Sequence, residues 1–335
     1  MIRLQAQPIA TLDDARDQLQ TAINLELATL PVYLYTKFSI LPDTNAQATA
    51  DLSAIVGEEM THMCLACNVL NALGGTPQLQ PLRYPSTMPG DIGTPGQPPL
   101  RVSLLRFSEA AMQQGMLIEQ PVKPVPVMAG TAMLGGDADP QTETIGEFYD
   151  KLDAFLATLP PDAWHANRNQ IDDSQFFPGQ IYAVNGYPDA SRAISQIKSE
   201  GEGTPEVILD FEDELAHYYR FWSLSMKRQL TKGPDGSYHW GAPIDVDFDA
   251  SFPAIDNPSL YDFSHEPPAA QAAQAACNLA YAQLIDELQR TFSGEKDRLG
   301  AAVRAMFDLR KAAMVALRTP LLNGGVAGPA FLYLS

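Results

Sequence analysis

From Thr11 onward, Leu19, Ile23, Glu26, Leu30 and Tyr33 follow one another in steps of four and three, which places them on one face of a helix. Thr11 followed by Asp14 marks the start of that helix, with a hydroxyl at the N-cap and a carboxylate three residues on. After a turn at 41–45, the series Leu52, Ile55, Glu59, His62, Ala66, Val69 and Leu73 repeats the ladder until Gly74-Gly75 ends it. Two long antiparallel helices are predicted, each with ionisable groups inside its apolar stripe.

Prolines crowd residues 76–100 and exclude helix there. A shorter helix is expected at 104–119. A second Pro- and Gly-rich stretch at 121–140 precedes another helix at 145–159, whose stripe is Ile145, Phe148, Tyr149, Leu152, Phe155, Leu156 and Leu159. Residues 160–188 read as irregular and 191–198 as a short helix. Thr204-Pro205 then supplies an N-cap with proline at the first helical position, and a long helix follows to Lys227 with Val207, Phe211, Glu214, His217, Phe221 and Leu224 inward. A connector at 231–268, with hints of strand at 238–240 and 246–248, leads to an Ala-rich helical hairpin at 269–318 broken near Gly294. The pattern predicts an all-α protein: a four-helix bundle with long irregular crossovers and a C-terminal helical hairpin. Residues 1–230 would form the bundle with its inserted connectors, and 231–335 a connector plus the hairpin packing on it.

Composition narrows the function. Twenty-two basic residues against 40 acidic give a net charge of −18, which repels phosphate backbones and anionic lipid surfaces, so neither nucleic acid nor membrane is expected as a partner. Three cysteines, Cys64, Cys67 and Cys277, are too few for a disulfide framework and point to a reducing compartment. Residues 1–10 lack a signal-peptide pattern, and the apolar stretch at 25–41 is interrupted by Glu26, Pro31 and Lys37. A cytoplasmic protein is expected.

The chemistry lies in Glu59-Met60-Thr61-His62 and Glu214-Leu215-Ala216-His217, both Glu-x-x-His, each setting a carboxylate and an imidazole one helical turn apart. With 15 glutamates and 5 histidines, composition alone predicts about 0.2 such motifs in the chain, yet two occur on apolar ladders. Burying four ionisable groups without a cation is costly, so a metal site explains them better than core hydrogen bonding does. Glu26 lies 15 residues before Leu41 and Glu59 lies 14 after Asn45, so the antiparallel pair holds them level. A dinuclear carboxylate site takes one Glu from each of two helices and Glu-x-x-His from each of two others. The further Glu is Glu119 or Glu147. Glu119 is preferred, because it falls beside the apolar side of its helix while Glu147 points away from its stripe. The expected metal ligands are therefore Glu26, Glu59, His62, Glu119, Glu214 and His217. Two iron ions are expected, with manganese or a mixed pair suiting the same donors.

Other features are weaker. Glu58 lies beside the ladder and reads as a support for the ligands or a solvated residue. Pro31 should kink the first helix just beyond Glu26. Cys64-x-x-Cys67 points away from His62 and reads as buried apolar packing. Asp245, Asp247 and Asp249 lack the glycine of a calcium loop and read as a solvated strand face. His165, His239 and His265 fall in connectors, with His165 beside Trp164 able to line a cleft.

Several segments resemble the ferritin-like domain of the iminophenyl-pyruvate dimer synthase type, found in enzymes of bisindole pigment biosynthesis and in shorter stand-alone proteins. They are Ala22-Ile23-Asn24-Leu25-Glu26-Leu27-Ala28-Thr29-Leu30-Pro31-Val32-Tyr33-Leu34, Glu58-Glu59-Met60-Thr61-His62-Met63, Asn68-Val69-Leu70-Asn71-Ala72-Leu73-Gly74-Gly75-Thr76-Pro77, Ile118-Glu119-Gln120-Pro121, Ile145-Gly146-Glu147-Phe148-Tyr149, Glu200-Gly201-Glu202-Gly203, Glu214-Leu215-Ala216-His217-Tyr218 and Gly328-Pro329-Ala330-Phe331. The resemblance implies a metal-bearing ferritin-like bundle. The pigment enzymes it resembles are much longer and couple two oxidised aromatic amino-acid units, imines of indole-pyruvate or phenylpyruvate type. This chain matches only their ferritin-like part, and it separates Glu119 from Glu214 by 95 residues where ordinary ferritin-like bundles join those helices closely. The function expected is a non-haem di-iron oxidase or oxygenase acting with dioxygen on a small molecule, an aromatic amino-acid derivative by analogy. The alternatives are an iron-oxidising or iron-storing protein and a metal-stabilised binding module. The sequence leaves an oligomer open.

Overall fold

The computed structural model describes residues 1–94, 96–121, 127–128, 141–173, 175–201, 209 and 214–334. Its spine is the antiparallel pair α1 (Leu12–Phe38) and α2 (Ala46–Ala72). At the start of α1 the Asp14 N–H donates to Thr11 Oγ1 at 3.1 Å and the Thr11 N–H donates to the Asp14 carboxylate at 2.8 Å, a reciprocal cap. The helix runs on through Pro31. Every residue from Leu25 to Tyr33 is buried, so this stretch is covered on all sides and not on one stripe alone.

Two shorter helices, α3 (Glu109–Ile118) and α6 (His217–Met226), pack closely on each other. Their approach depends on Gly115, since a Cβ there would lie 2.7 Å from the Phe221 ring. Helices α4 (Ile145–Leu156) and α5 (Tyr187–Gly201) pack on each other and against α1 and α2 respectively. The hairpin of α7 (Pro268–Phe292) and α8 (Leu299–Ala316), with Gly294 at φ +119° in the break, closes the rest. Its Tyr281, Leu284, Ile285, Leu288 and Phe292 join one continuous core with α1 and α2. The fold is mostly helical, with small sheets only among the described residues. No helix of the described residues is long and apolar enough to cross a membrane.

The irregular crossover between α4 and α5 is fastened to α2 by buried amides. Asn68 Nδ2 donates to the carbonyls of Ile171 (2.7 Å) and Tyr182 (2.9 Å), while its Oδ1 accepts the Ile171 N–H at 2.9 Å. One turn on, Asn71 Nδ2 donates to the Phe292 carbonyl at 2.9 Å and ties α2 to the hairpin. Backbone groups that no ladder satisfies are thereby paired inside the core.

Several boundaries move. The helix expected at 104–119 begins at Glu109, where Ser108 Oγ accepts the Ala111 N–H. The one at 145–159 stops at Leu156, and the one at 191–198 extends over Tyr187–Gly201. Of the long helix expected at 204–227, the described residues are helical from His217 on: Leu215 is held in an antiparallel bridge with Leu209 and Ala216 is extended, with ψ 157°. Its expected N-cap at 204–205, like most of 121–140, lies outside the described residues. Arg228–Lys232 and Tyr238–Pro243 pair as antiparallel strands, and Val127–Met128 pairs parallel to the latter. Residues 246–248 form no strand, because the Asn45 side chain takes both the N–H (2.7 Å) and the carbonyl (3.0 Å) of Asp247.

Candidate metal centre

Five ionisable side chains from four helices converge in the buried interior. Glu26 comes from the middle of α1, Glu59 and His62 from successive turns of α2, Glu119 from the C-cap of α3 and His217 from the first turn of α6. They form two triads, Glu26–Glu59–His62 and Glu59–Glu119–His217, each with its donor atoms within 4.8 Å of one another. Glu59 belongs to both. His62 Nδ1 lies 3.6 Å from Glu26 and 4.0 Å from Glu59; His217 Nδ1 lies 2.9 Å from Glu59 and 3.8 Å from Glu119. The imidazole rings face each other, centroids 5.6 Å apart.

Each imidazole turns its outer nitrogen to a further carboxylate. His62 Nε2 is 2.7 Å from Glu200 on α5, and His217 Nε2 is 2.8 Å from Glu58, which Arg220 holds in turn at 3.1 Å. Such partners fix ring orientation and leave Nδ1 to face inward. The carboxylates are held as well: the Tyr149 hydroxyl donates to Glu26 at 2.7 Å, that of Tyr33 to Glu119 and that of Thr29 to Glu59. Beside the donors lies a cavity of about 30 Å³, walled by Leu25, Met88, Ile118, Ile145 and Ile197 with Lys198 among the lining.

Burial and charge crowding shift Glu59, His62, His217 and Glu58. Burial, and then the Glu119 and Glu26 charges, raise the Glu59 carboxyl to about 7. Burial alone would lower His62, yet its bonds to Glu200 and Glu26 outweigh that and raise it to about 10. Burial would likewise lower His217, which Glu119, Glu58 and Glu59 carry well above the usual imidazole range. Against burial, His217 and Arg220 bring Glu58 down to about 2. The donor set fits divalent metal: three carboxylates and two imidazoles are hard and borderline ligands. His217 Nδ1 supports the fit, being fully buried and close to Glu59 yet outside hydrogen-bonding geometry.

The six expected ligands are not all brought together. Glu214 lies in the extended segment before α6, its side chain 56% exposed against 3% for Glu59, and pairs with Arg220 at 3.0 Å. Unwinding of the chain at 214–216 takes it off the ladder it would share with His217. Glu147 closes the cap of α4, accepting the Thr144 N–H at 2.9 Å, and belongs to neither triad. Glu200 carried no assigned role in the sequence, and Glu58 a minor one. The signal for Glu58 was its place beside Glu59; Glu200 had only its Glu-Gly-Glu-Gly context. Cys64 and Cys67 are buried among apolar neighbours and His165 is exposed.

A helical bundle enclosing carboxylates and histidines that could bind metal defines the class of this protein. The chain belongs to the Ferritin-like family, whose model matches residues 19–226. It is 24% identical to dichlorochromopyrrolate synthase of Lentzea aerocolonigenes across 97% of its own length, and spans 36% of that longer relative. The crystal structure of a ferritin-like protein from Caulobacter vibrioides superposes with a TM-score of 0.62 at 23% identity, covering 96% of this chain and 98% of the other.

Proposed function

We propose that this chain is a non-haem di-iron oxidase or oxygenase that acts with dioxygen on a small organic molecule. The observation that carries the reading is the pair of triads sharing Glu59, each completed by an imidazole whose outer nitrogen rests on a second carboxylate. Glu26, Glu59, His62, Glu119 and His217 would hold the two ions, and bound iron would supply the reduction of dioxygen. The mixed oxygen and nitrogen donors suit iron and manganese alike, and iron is preferred because the proposed chemistry reduces dioxygen.

The chain's own groups do the remaining work. Glu200 and Glu58 hold the imidazoles in one orientation, so the donors need little reorganisation. Tyr149 and Tyr33 donate to Glu26 and Glu119 and fix these carboxylates, burial raising the Tyr33 phenol well above its usual range. Leucine and isoleucine walls keep bulk water from the cavity. As an oxidase the protein would remove two electrons and two protons from its substrate for each dioxygen returned as hydrogen peroxide. The aromatic amino-acid-derived class rests on the similarity to dichlorochromopyrrolate synthase. A cytoplasmic setting, expected from cysteine usage, belongs to the same proposal.

The test is dioxygen uptake by iron-loaded protein over a panel of aromatic amino-acid-derived imines and 2-oxo acids, with Glu59→Ala as control. Uptake that requires an organic substrate and vanishes in the variant is expected, and isotope-labelled dioxygen in the product separates oxygenase from oxidase. Uptake driven by ferrous ion alone, with ferric iron accumulating beyond two per chain in a large shell, would replace the proposal with iron handling.

A further inference from the structure

A second cavity, of about 340 Å³, shares no lining residue with the metal centre. It lies between α1 and α2 on one side and the α7–α8 hairpin on the other, within the size range of small-molecule sites. Its wall is apolar apart from Lys37, Arg310 and Tyr281. Met60, Met63 and Met306 give it a surface that adapts to a flexible guest. Phe307, 65% exposed, and Phe176 stand at a rim open to solvent.

Of the two cations on this wall, Lys37 is half-buried and Arg310 exposed. In a chain of net charge −18, carboxylates pair with Arg220, Arg298, Lys151 and Lys198 but, among the described residues, not with every cation. Lys37 and Arg310 pair with none among the described residues, although they are near enough to repel: burial first, then the Arg310 charge, lower the Lys37 ammonium. Tyr281, on the same wall, buries a hydroxyl that makes no hydrogen bond. Two adjacent uncompensated cations at an apolar cavity are complementary to one molecular type, an apolar chain ending in a single anion.

We propose that this cavity binds a single-chain amphiphile with an anionic head, the alkyl tail lying between α1–α2 and the hairpin and the head between Lys37 and Arg310. The site is independent of the metal centre and of the activity assigned to it. A fatty carboxylate and an alkyl phosphate share the chemistry and differ only in the head.

The experiment is calorimetric titration of the full-length, metal-loaded protein with dodecanoate, dodecyl phosphate and dodecanol. One dodecanoate or dodecyl phosphate per chain is expected, and the tighter of the two identifies the head. Dodecanol should bind at least about tenfold more weakly, and the Lys37→Gln/Arg310→Gln protein should lose about tenfold for the anions while leaving dodecanol unchanged. Leu284→Trp, which fills the cavity, should abolish all three while metal content and far-ultraviolet dichroism persist. Equal affinity for dodecanol and dodecanoate, no effect of the double substitution, or no saturable binding would overturn the proposal. So would sedimentation showing a dimer sealed by this face that dodecanoate does not enter.

Discussion

On one side of Glu59, His62 stands well inside a 27-residue helix and Glu26 in the middle of another; on the other, His217 opens a ten-residue helix and Glu119 caps a second of the same length. Both halves follow one plan, a carboxylate held by a tyrosine and an imidazole held by a further carboxylate. Their supports differ. Mid-helix donors inherit their positions from continuous backbone hydrogen bonding, whereas donors at helix ends, which carry unsatisfied backbone groups, need side chains to hold them. Arg220 meets that need by gripping Glu58 and Glu214 together, and Phe221 by wedging between Gly115 and Tyr33, 5.1 Å from the tyrosine ring. The His62 half should therefore tolerate loss of a support better than the His217 half.

The largest effect belongs to the residue the halves share. Glu59→Ala should abolish binding of both ions, read as metal per chain by mass spectrometry after anaerobic ferrous loading. His62→Ala and His217→Ala should each leave about one ion, because each spares a triad; equal loss of both ions from either would mean that the halves are not separable. Next come the carboxylates behind the imidazoles. Removal of such a partner typically costs about 10–100-fold in metal affinity. Glu58→Gln should fall at the upper end, since it also removes the charge that Arg220 grips at 3.1 Å, and Glu200→Gln at the lower; competition with a chelator orders them.

What the sequence displays and what it hides divide along the same line. The α1–α2 pair was legible because its ladders are long and its caps local, so Glu26, Glu59 and His62 could be set level from spacing alone. The second half was not. Glu119 and His217 are brought together by contact between α3 and α6, which are separated by nearly a hundred residues and depend on a missing Cβ at Gly115. Periodicity continued the last ladder back through Glu214, and nothing local signals that Leu215 leaves it for a bridge with Leu209. Glu200 reaches His62 only through the docking of α5 on α2, a tertiary fact with no spacing to announce it. The fold class needed only the apolar pattern, which is why it came through intact.

A smaller effect tests the wedge. Gly115→Ala puts a methyl about where the Phe221 ring lies and should cost about 1–3 kcal/mol, as overpacked cores do, measured as a lowered thermal midpoint. Because the displaced ring bears on Tyr33, and Tyr33 on Glu119, metal should be lost from the His217 half first.

The smallest effect should come from Glu214→Gln, although Glu-x-x-His spacing singles that residue out. Its carboxylate is more than half exposed and its partner Arg220 also holds Glu58; a pair with one member so solvated contributes about 0–1 kcal/mol. Metal content should stay within about twofold of the parent protein, well short of the Glu58→Gln loss. A Glu214→Gln protein that lost metal as fully as Glu59→Ala would show that residues 214–216 wind onto α6 when metal is bound. The His217 half would then acquire a donor on the same helix as its imidazole, and its dependence on Arg220 would disappear.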